Sequence, residues 1–218
     1  MTIATYSDLQ SAIADWLNRA DLTARIPDFI ALAEATLNQV VRSTRMVNDA
    51  SISLTANTRN AAMPADFLAP VYLQSSNAQP LEQVSVQQLI MLRRSRMKTP
   101  GVPAFFAVVG RNFEFAPIPA ANETVDCSYY GAIPPLAANS TNWLLTYKPD
   151  LYLYTALLHA APFLKDDQRV ALFTNMLALD VQKLIQENTS ATFDDDQAAG
   201  FSLGTPSDPP RPAPVNAA

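Results

Sequence analysis

The sequence predicts an α+β fold in which terminal antiparallel helices form a bundle and a mostly antiparallel β-domain is inserted between them. Apolar residues recur at helical intervals at both ends of the 218-residue chain and alternate with polar residues in the middle. No internal repeat is present, which argues against a solenoid or propeller. The predicted division is 1–49 for the first part of the bundle, 50–131 for the β-domain, 132–187 for the second part of the bundle and 188–218 for an extended proline-rich arm.

Two helices are predicted in the first segment. Ser7 and Gln10 have the spacing of a capping box, so the first helix is expected to open at Ser7. Pro27 stands where a first-turn proline is tolerated, and the helix that it opens is expected to run to about Thr44. The apolar positions of the two helices are Leu9, Ile13, Trp16, Leu17, Phe29, Ile30, Ala33, Leu37, Val40 and Val41.

Alternation and turn residues predict the β-domain. Ile52 and Leu54 alternate with polar neighbours, and Asn57 with Asn60 supplies turn chemistry, which predicts a β-hairpin. Further strands are predicted at residues 69–74, 105–109, 113–116 and 124–130, with a tight connection at 110–112. A second capping-box spacing, in which Ser85 is followed by Gln88, predicts a short helix over residues 86–94.

Helical periodicity returns after Pro149 and Asp150, which introduce a helix that Pro162 is expected to kink or end. Asp166 or Asp167 can start a last helix, which is the strongest helix prediction in the chain. Its apolar residues fall on most turns and are Val170, Leu172, Phe173, Met176, Leu177, Leu179, Val181, Leu184 and Ile185.

The arm at 188–218 combines the acidic run Asp194–Asp196 with many prolines, so it cannot build a core alone. Proline fixes the backbone beforehand, and we predict that the part from Gly200 to Ala218 docks on a neighbouring protein. The alternative is an extended linker held by its own subunit. The predicted contact residues are Phe201, Leu203, Pro209, Pro210 and Arg211.

Composition narrows the function classes. The net charge of −5 argues against a protein whose main task is to grip nucleic acid, because phosphate neutralisation needs a basic face. No stretch approaches the roughly 18 apolar residues that span a bilayer, and the first residues lack the features of a signal peptide. A single cysteine, Cys127, forms no internal disulfide, which indicates a reducing cytoplasm.

The sequence predicts no enzyme, no cofactor and no metal site. His159, the one histidine, lies in an apolar helix and is expected to be structural, and Cys127 is expected to be a small buried strand residue. The five glycines form no phosphate-cradling loop, and the acidic run lacks the ligand spacing of a calcium loop. A small hydrolase using His159 with Cys127 or Asp150 is the alternative from a different class.

Arg93, Arg94 and Arg96 form, with Lys98, the only dense basic stretch, which is a candidate site for phosphate or an acidic partner. An exposed helix end, whose cations interact favourably with the helix dipole, is the favoured interpretation. The aromatic residues near the second part of the bundle are expected in the core or a subunit interface. They are Trp143, Tyr147, Tyr152 and Tyr154.

Several strings resemble, in chain order, the head-to-tail adaptor family from the neck of short-tailed phages, which is related to the tail tubular protein A group. They cover roughly the first four fifths of the chain, and the basic stretch and the arm fall outside them. The strings are Tyr6-Ser7-Asp8-Leu9-Gln10, Asp15-Trp16-Leu17-Asn18-Arg19, Asp21-Leu22, Ile26-Pro27-Asp28-Phe29-Ile30, Leu32-Ala33-Glu34-Ala35, Pro64-Ala65-Asp66-Phe67-Leu68, Tyr129-Tyr130, Ile133-Pro134, Asn142-Trp143-Leu144, Pro149-Asp150-Leu151-Tyr152-Leu153-Tyr154 and Ala161-Pro162-Phe163-Leu164-Lys165-Asp166-Asp167.

The resemblance implies a structural protein of the virion neck that is assembled in the host bacterial cytoplasm. It implies a homo-oligomeric ring of about twelve copies beneath the portal protein, which forms part of the DNA conduit and seats downstream tail or nozzle proteins or fibres. Genomic DNA would pass through without specific binding, and neither catalysis nor a membrane is implied. Composition leaves open another neck protein, such as a stopper or tail-completion protein.

Overall fold

The computed structural model describes residues 3–75, 77, 79–95, 97–164, 171, 173–184 and 186. The helices are α1 (Tyr6–Leu17), α2 (Ile26–Val40), α3 (Val86–Ser95), α4 (Trp143–Tyr147), α5 (Pro149–Leu164) and α6 (residues 173–184), with 3₁₀ segments at Ala20–Arg25 and Thr44–Met46. The strands are β1 (Val47–Leu54), β2 (Asn60–Ala62), β3 (Phe67–Ser75), β4 (Pro80–Gln83), β5 (Phe105–Val109), β6 (Asn112–Ala116) and β7 (Glu123–Gly131). This is the predicted α+β fold.

The N-terminal and C-terminal helices share one apolar core. In that core α2 and α5 are antiparallel, because Phe29 contacts Phe163 at a ring-centroid distance of 5.2 Å while the later Thr36 meets the earlier His159. Helix α1 contacts both of them, and α6 joins the same core through Phe173, Val181 and Leu184. The bundle is therefore assembled from both ends of the chain.

The helix predictions hold for most elements but not at their edges. Helix α1 is capped by Thr5, whose side chain accepts from the amide of Asp8, so the predicted opening at Ser7 is wrong. Pro27 lies in the first turn of α2 as predicted, and the helix ends at Val40. Pro162 lies inside α5, so the helix does not end at it, and the kink that was predicted as the other outcome stays a prediction. Helix α4 was not predicted.

Three of the predicted apolar positions are not core residues. Trp16 is 50% exposed, Val40 49% and Leu179 57%, although all three fall on helical intervals. The predicted helix start at Asp166 or Asp167 lies outside the described residues. So do the side chains of Val170, Leu172 and Ile185.

The seven strands form one sheet in the order β1-β7-β3-β4-β5-β6-β2, and every pairing is antiparallel except the short one between β4 and β5. The predicted hairpin is wrong, because β1 pairs with β7 and β2 pairs with β6. The predicted turn does exist, and Asn57 adopts a left-handed φ of 59° in it. The β5–β6 hairpin, with Gly110 at φ 62°, is confirmed.

The sheet curls around its own core. All seven strands contribute to a single apolar cluster, and the two terminal strands of the order, β1 and β2, contact each other. On the outer surface of the curled sheet, β7 and the β5–β6 pair lie on opposite sides, because they are separated by about half of the seven strands in the order. Opposite outer sides of the β-region are therefore formed by β1, β7 and β3, and by β5 and β6.

A polar cluster lies within the sheet, at the end where β7 leads back to the bundle. The carboxylate of Asp66 accepts from Tyr129 Oη at 2.9 Å and from Asn48 Nδ2 at 3.1 Å. Gly131 follows on β7, where an added Cβ would meet the Asn48 amide and lie 2.8 Å from Asp66 Oδ2. Burial and the Asp66 contact raise the pKa of Tyr129 to about 12. A side chain at position 131 would displace the hydrogen-bonded Asn48 and Asp66 side chains.

Candidate functional site

Helix α3 is fixed on the outer side of β5 and β6. Ser85 accepts from the Gln88 amide at 3.2 Å, and the Gln88 side chain accepts from the Ser85 amide at 3.0 Å, which confirms the predicted capping box. Leu89 is fully buried against Ala107 and Ala116, whose small side chains let the helix approach the sheet closely. The opposite side of α3 therefore faces outward.

Arg93 anchors α3 within the subunit. Its Nη1 lies 2.7 Å from Glu114 Oε2, and its Nε and Nη2 donate to the carbonyl oxygen of Phe115 at 2.9 and 2.7 Å. Its side chain is only 14% exposed. Successive helix residues point about 100° apart, so Arg94 is exposed beside it. The predicted basic stretch is thus divided, and Arg96 lies outside the described residues.

The outward side of α3 carries apolar residues beside unpaired cations. Val86, Ile90 and Met91 are exposed, Met91 by 69%. Arg94 and Lys98 are also exposed, and no described carboxylate forms an ion pair with either. We call these five residues the α3 surface. A groove of about 230 Å³ lies beside Met91 and is also lined by Val84, Gln88, Leu92 and Ser95.

The other outer side of the sheet is acidic. Strand register aligns Asp49 with Ser128 and Tyr72, and Ser51 with Asp126, across β1, β7 and β3. Ser128 Oγ donates to Asp49 Oδ1, and Ser51 Oγ donates to Asp126 Oδ1 at 3.0 Å. Both carboxylates are exposed, and no described cation pairs with them. We call Asp49, Ser51, Tyr72, Asp126 and Ser128 the acidic face, which borders a groove of about 300 Å³.

The residues of the hydrolase alternative are not brought together. His159 Nε2 lies 3.0 Å from Thr36 Oγ1 in the α2–α5 contact, and partial burial lowers the pKa of the ring. Cys127 lies in the core of the sheet, where burial and then the charge of Asp49 raise the pKa of its thiol to about 11. Asp150 lies at the start of α5, about 13 Å along the helix axis from His159. Neither pair forms a dyad.

The aromatic residues of the bundle lie in different environments. Tyr152 is fully buried and its hydroxyl accepts from Asn142 Nδ2 at 2.7 Å. Tyr147 is exposed, with the guanidinium carbon of Arg45 4.4 Å from its ring centre. Tyr154 contacts Trp16 edge-on at 6.2 Å. Core packing accounts for Tyr152, whereas the exposed ring of Tyr147 contacts the cations of Arg45 and Lys148.

Three further kinds of site are relevant to function: a metal site, a membrane-spanning helix and the docking arm. Within the described residues no group of three or more His, Cys, Asp or Glu side chains could hold a metal ion. No described helix has the length and apolarity that a bilayer crossing needs. The predicted arm contacts Phe201, Leu203, Pro209, Pro210 and Arg211 lie outside the described residues.

The α3 surface and the acidic face each combine exposed apolar side chains with unpaired charges. Such surfaces are typical of a protein that contacts other proteins. A family model described as SU10 adaptor protein matches residues 4–199. The chain therefore belongs to the SU10 adaptor protein family, a family of structural phage proteins. No curated protein matches the chain.

Proposed function

We propose that the chain is a head-to-tail adaptor of the virion neck, which forms a ring of about twelve copies beneath the portal protein. The observation that carries this proposal is the adaptor family match, which extends over residues 4–199. The resemblance of the Pro149 to Tyr154 and Ala161 to Asp167 strings to the tail tubular protein A group supports the neck position.

The ring would form part of the DNA conduit and seat the next tail or nozzle protein or fibres. A net charge of −5 suits this role, because a conduit that attracted phosphate would retain the genome that it must release. DNA would pass without specific binding. Assembly would take place in the cytoplasm of the host bacterium.

We also propose that different segments of the chain form separate structural units and make different contacts. The helices within 1–49 and 132–187 form one unit, and the region 50–131, together with the first three residues of β1 before it, forms another. The apolar core of the bundle and that of the sheet support this division, because their buried residues come from separate parts of the sequence. The arm at 188–218 docks on portal through Phe201, Leu203, Pro209, Pro210 and Arg211. Arg94 and Arg96 serve a partner, whereas Arg93 stabilises the subunit.

Native mass spectrometry of the purified chain, alone and with the portal of the same phage, tests this function. We expect a complex of one portal with about twelve copies of the chain. A chain that ignores portal and stays monomeric at all concentrations contradicts the adaptor role. Binding only to an already occupied portal neck indicates a stopper or tail-completion protein instead.

A further inference from the structure

We propose that the α3 surface of one copy binds the acidic face of a second copy, and that this contact repeats around the ring. The inference rests on the ring proposed above and names the surfaces that close it. It concerns Val86, Ile90, Met91, Arg94 and Lys98 on one copy. On the other copy it concerns Asp49, Ser51, Tyr72, Asp126 and Ser128.

The charges of the two surfaces are complementary. Arg94 and Lys98 have no acidic partner among the described residues, and Asp49 and Asp126 have no basic one. The serine hydroxyls bind only the Oδ1 atom of each carboxylate, which orients it and leaves Oδ2 open to an incoming cation. A guanidinium can then form a charge-assisted hydrogen bond with Asp126.

The apolar parts also match. Ile90 and Met91 project from α3, and Tyr72 is half exposed beside the two aspartates. A methionine thioether packs favourably against an aromatic ring, and a tyrosine at an interface buries its ring while its hydroxyl stays wet. Covering these side chains removes exposed apolar surface from water on both copies.

The positions of the two surfaces suit a ring. A contact between different faces generates a closed ring when each copy is rotated by the correct angle, which is about 30° for a ring of about twelve. Such a small rotation needs two faces on nearly opposite sides of the subunit. The α3 surface lies on β5 and β6, half a cycle of strands from β7, which carries the centre of the acidic face.

A second copy explains both surfaces with one contact. An acidic segment of another protein would neutralise Arg94 and Lys98, but it would leave Asp49 and Asp126 exposed and unpaired. A basic partner would have the converse effect. Repetition of a single contact in a ring pairs every charge of both surfaces.

Charge exchange tests the contact. The full-length wild type, Arg94→Glu and Asp126→Arg are compared by native mass spectrometry over a concentration series at one low salt concentration, with portal present. We expect each single variant to assemble about tenfold more weakly or worse, because like charges then face each other. An equimolar mixture of the two variants should recover assembly when the copies alternate around the ring. The new glutamate at position 94 of one copy then meets the new arginine at position 126 of the next, and the other contact of each pair keeps its original charges. The double variant should recover it as well.

Matched charge reversals away from both surfaces serve as controls. Arg111→Glu in the β5–β6 turn and Asp15→Arg on α1 change exposed charges and should assemble like the wild type. Asp126→Asn provides a milder variant that keeps an acceptor for Ser51 if the reversal disturbs folding. It should also weaken assembly, by less than the reversal.

The outcomes separate this contact from the proposed function. If the wild type forms the ring on portal and both reversals form it equally well, the contact is wrong and the adaptor role stands. If both single variants fail and their mixture does not recover, the contact is also wrong. A wild type that never assembles overturns both proposals.

Discussion

Arg93 and Arg94 are adjacent in the sequence yet have different surroundings. Sequence reasoning grouped them into one basic surface because it could not show which side of the helix meets the sheet. That side is set by Leu89, whose contacts with Ala107 and Ala116 bring Arg93 onto Glu114. A polar residue four positions from a buried leucine is the signal that could have separated the two arginines.

Replacement of Arg93 by methionine is therefore expected to destabilise the fold by about 2 to 4 kcal/mol, because Glu114 and the Phe115 carbonyl lose their main partner while largely buried. Urea denaturation measures the loss, and Arg94→Met is the matched control, expected within about 0.5 kcal/mol of the wild type. Equal stabilities for the two variants would contradict the anchoring role of Arg93.

His159 gives the fold a defined response to pH. Partial burial lowers its pKa in the folded protein, whereas the unfolded chain keeps the ordinary value near 6.5. The unfolded state binds the proton more readily, so the contribution of His159 is fully present above pH 6.5 and is lost as the pH falls below it.

We expect the free energy of unfolding of the wild type to fall more between pH 7.5 and pH 5.5 than that of His159→Gln. Glutamine can keep a hydrogen bond to Thr36 but does not titrate in this range. Urea denaturation at several pH values gives the difference. Identical pH profiles for the two proteins would show that His159 does not contribute to the pH dependence of the free energy of unfolding.

At the scale of single elements, one helix start was predicted at the wrong residue. Two capping-box spacings overlap at the N-terminus, Thr5 with Asp8 and Ser7 with Gln10, and the sequence does not rank them. The chain uses Thr5, and the amides of Ala4 and Thr5 donate to the Asp8 carboxylate. The hydrogen bond with the Thr5 side chain, followed by those with the amides of Ala4 and Thr5, lowers the pKa of Asp8.

Thr5→Ala should therefore lower the free energy of unfolding by about 1 kcal/mol, because the Asp8 amide loses its side-chain acceptor. Ser7→Ala should have little effect, since Ser7 is exposed within the first turn. Thermal unfolding of the two variants decides between the caps. A larger loss for Ser7→Ala would restore the capping box that the sequence first suggested.

Strand predictions succeeded where alternation was strong and failed where pairing was distant. Strand β5 was predicted to the residue, and β3, β6 and β7 within one or two residues at each end. Strand β4 is only four residues long and carries one buried side chain, so periodicity could not reveal it. The partner of β1 was missed because Ile52 pairs with Val125, far along the chain.

At the scale of the molecule, the alternation of helical and strand periodicity was enough to predict the α+β class and its insertion topology. Nothing local indicates that the sheet closes on itself, because that depends on the contact of β1 with β2 and on a core shared by seven strands. The two opposed outer faces follow from this closure. They could not have been predicted from a sequence in which Asp49 and Asp126 look like ordinary surface charges.

The arm gives the last prediction, because the family match ends at residue 199 and leaves the segment from Gly200 to Ala218 outside it. Truncation after Ala199 should leave helix and strand content unchanged and weaken portal binding, since Phe201 and Leu203 would each lose a burial worth about 1.5 to 3 kcal/mol. Circular dichroism and portal affinity at one salt concentration measure the two effects.

Full-length Phe201→Ala/Leu203→Ala should reproduce most of the loss, whereas Ser202→Ala between them should not. Because the α3 surface and the acidic face remain intact in the truncated chain, its copies should still associate with one another. Portal affinity equal to that of the full-length chain would assign portal attachment to residues 4–199 and leave the arm as a linker.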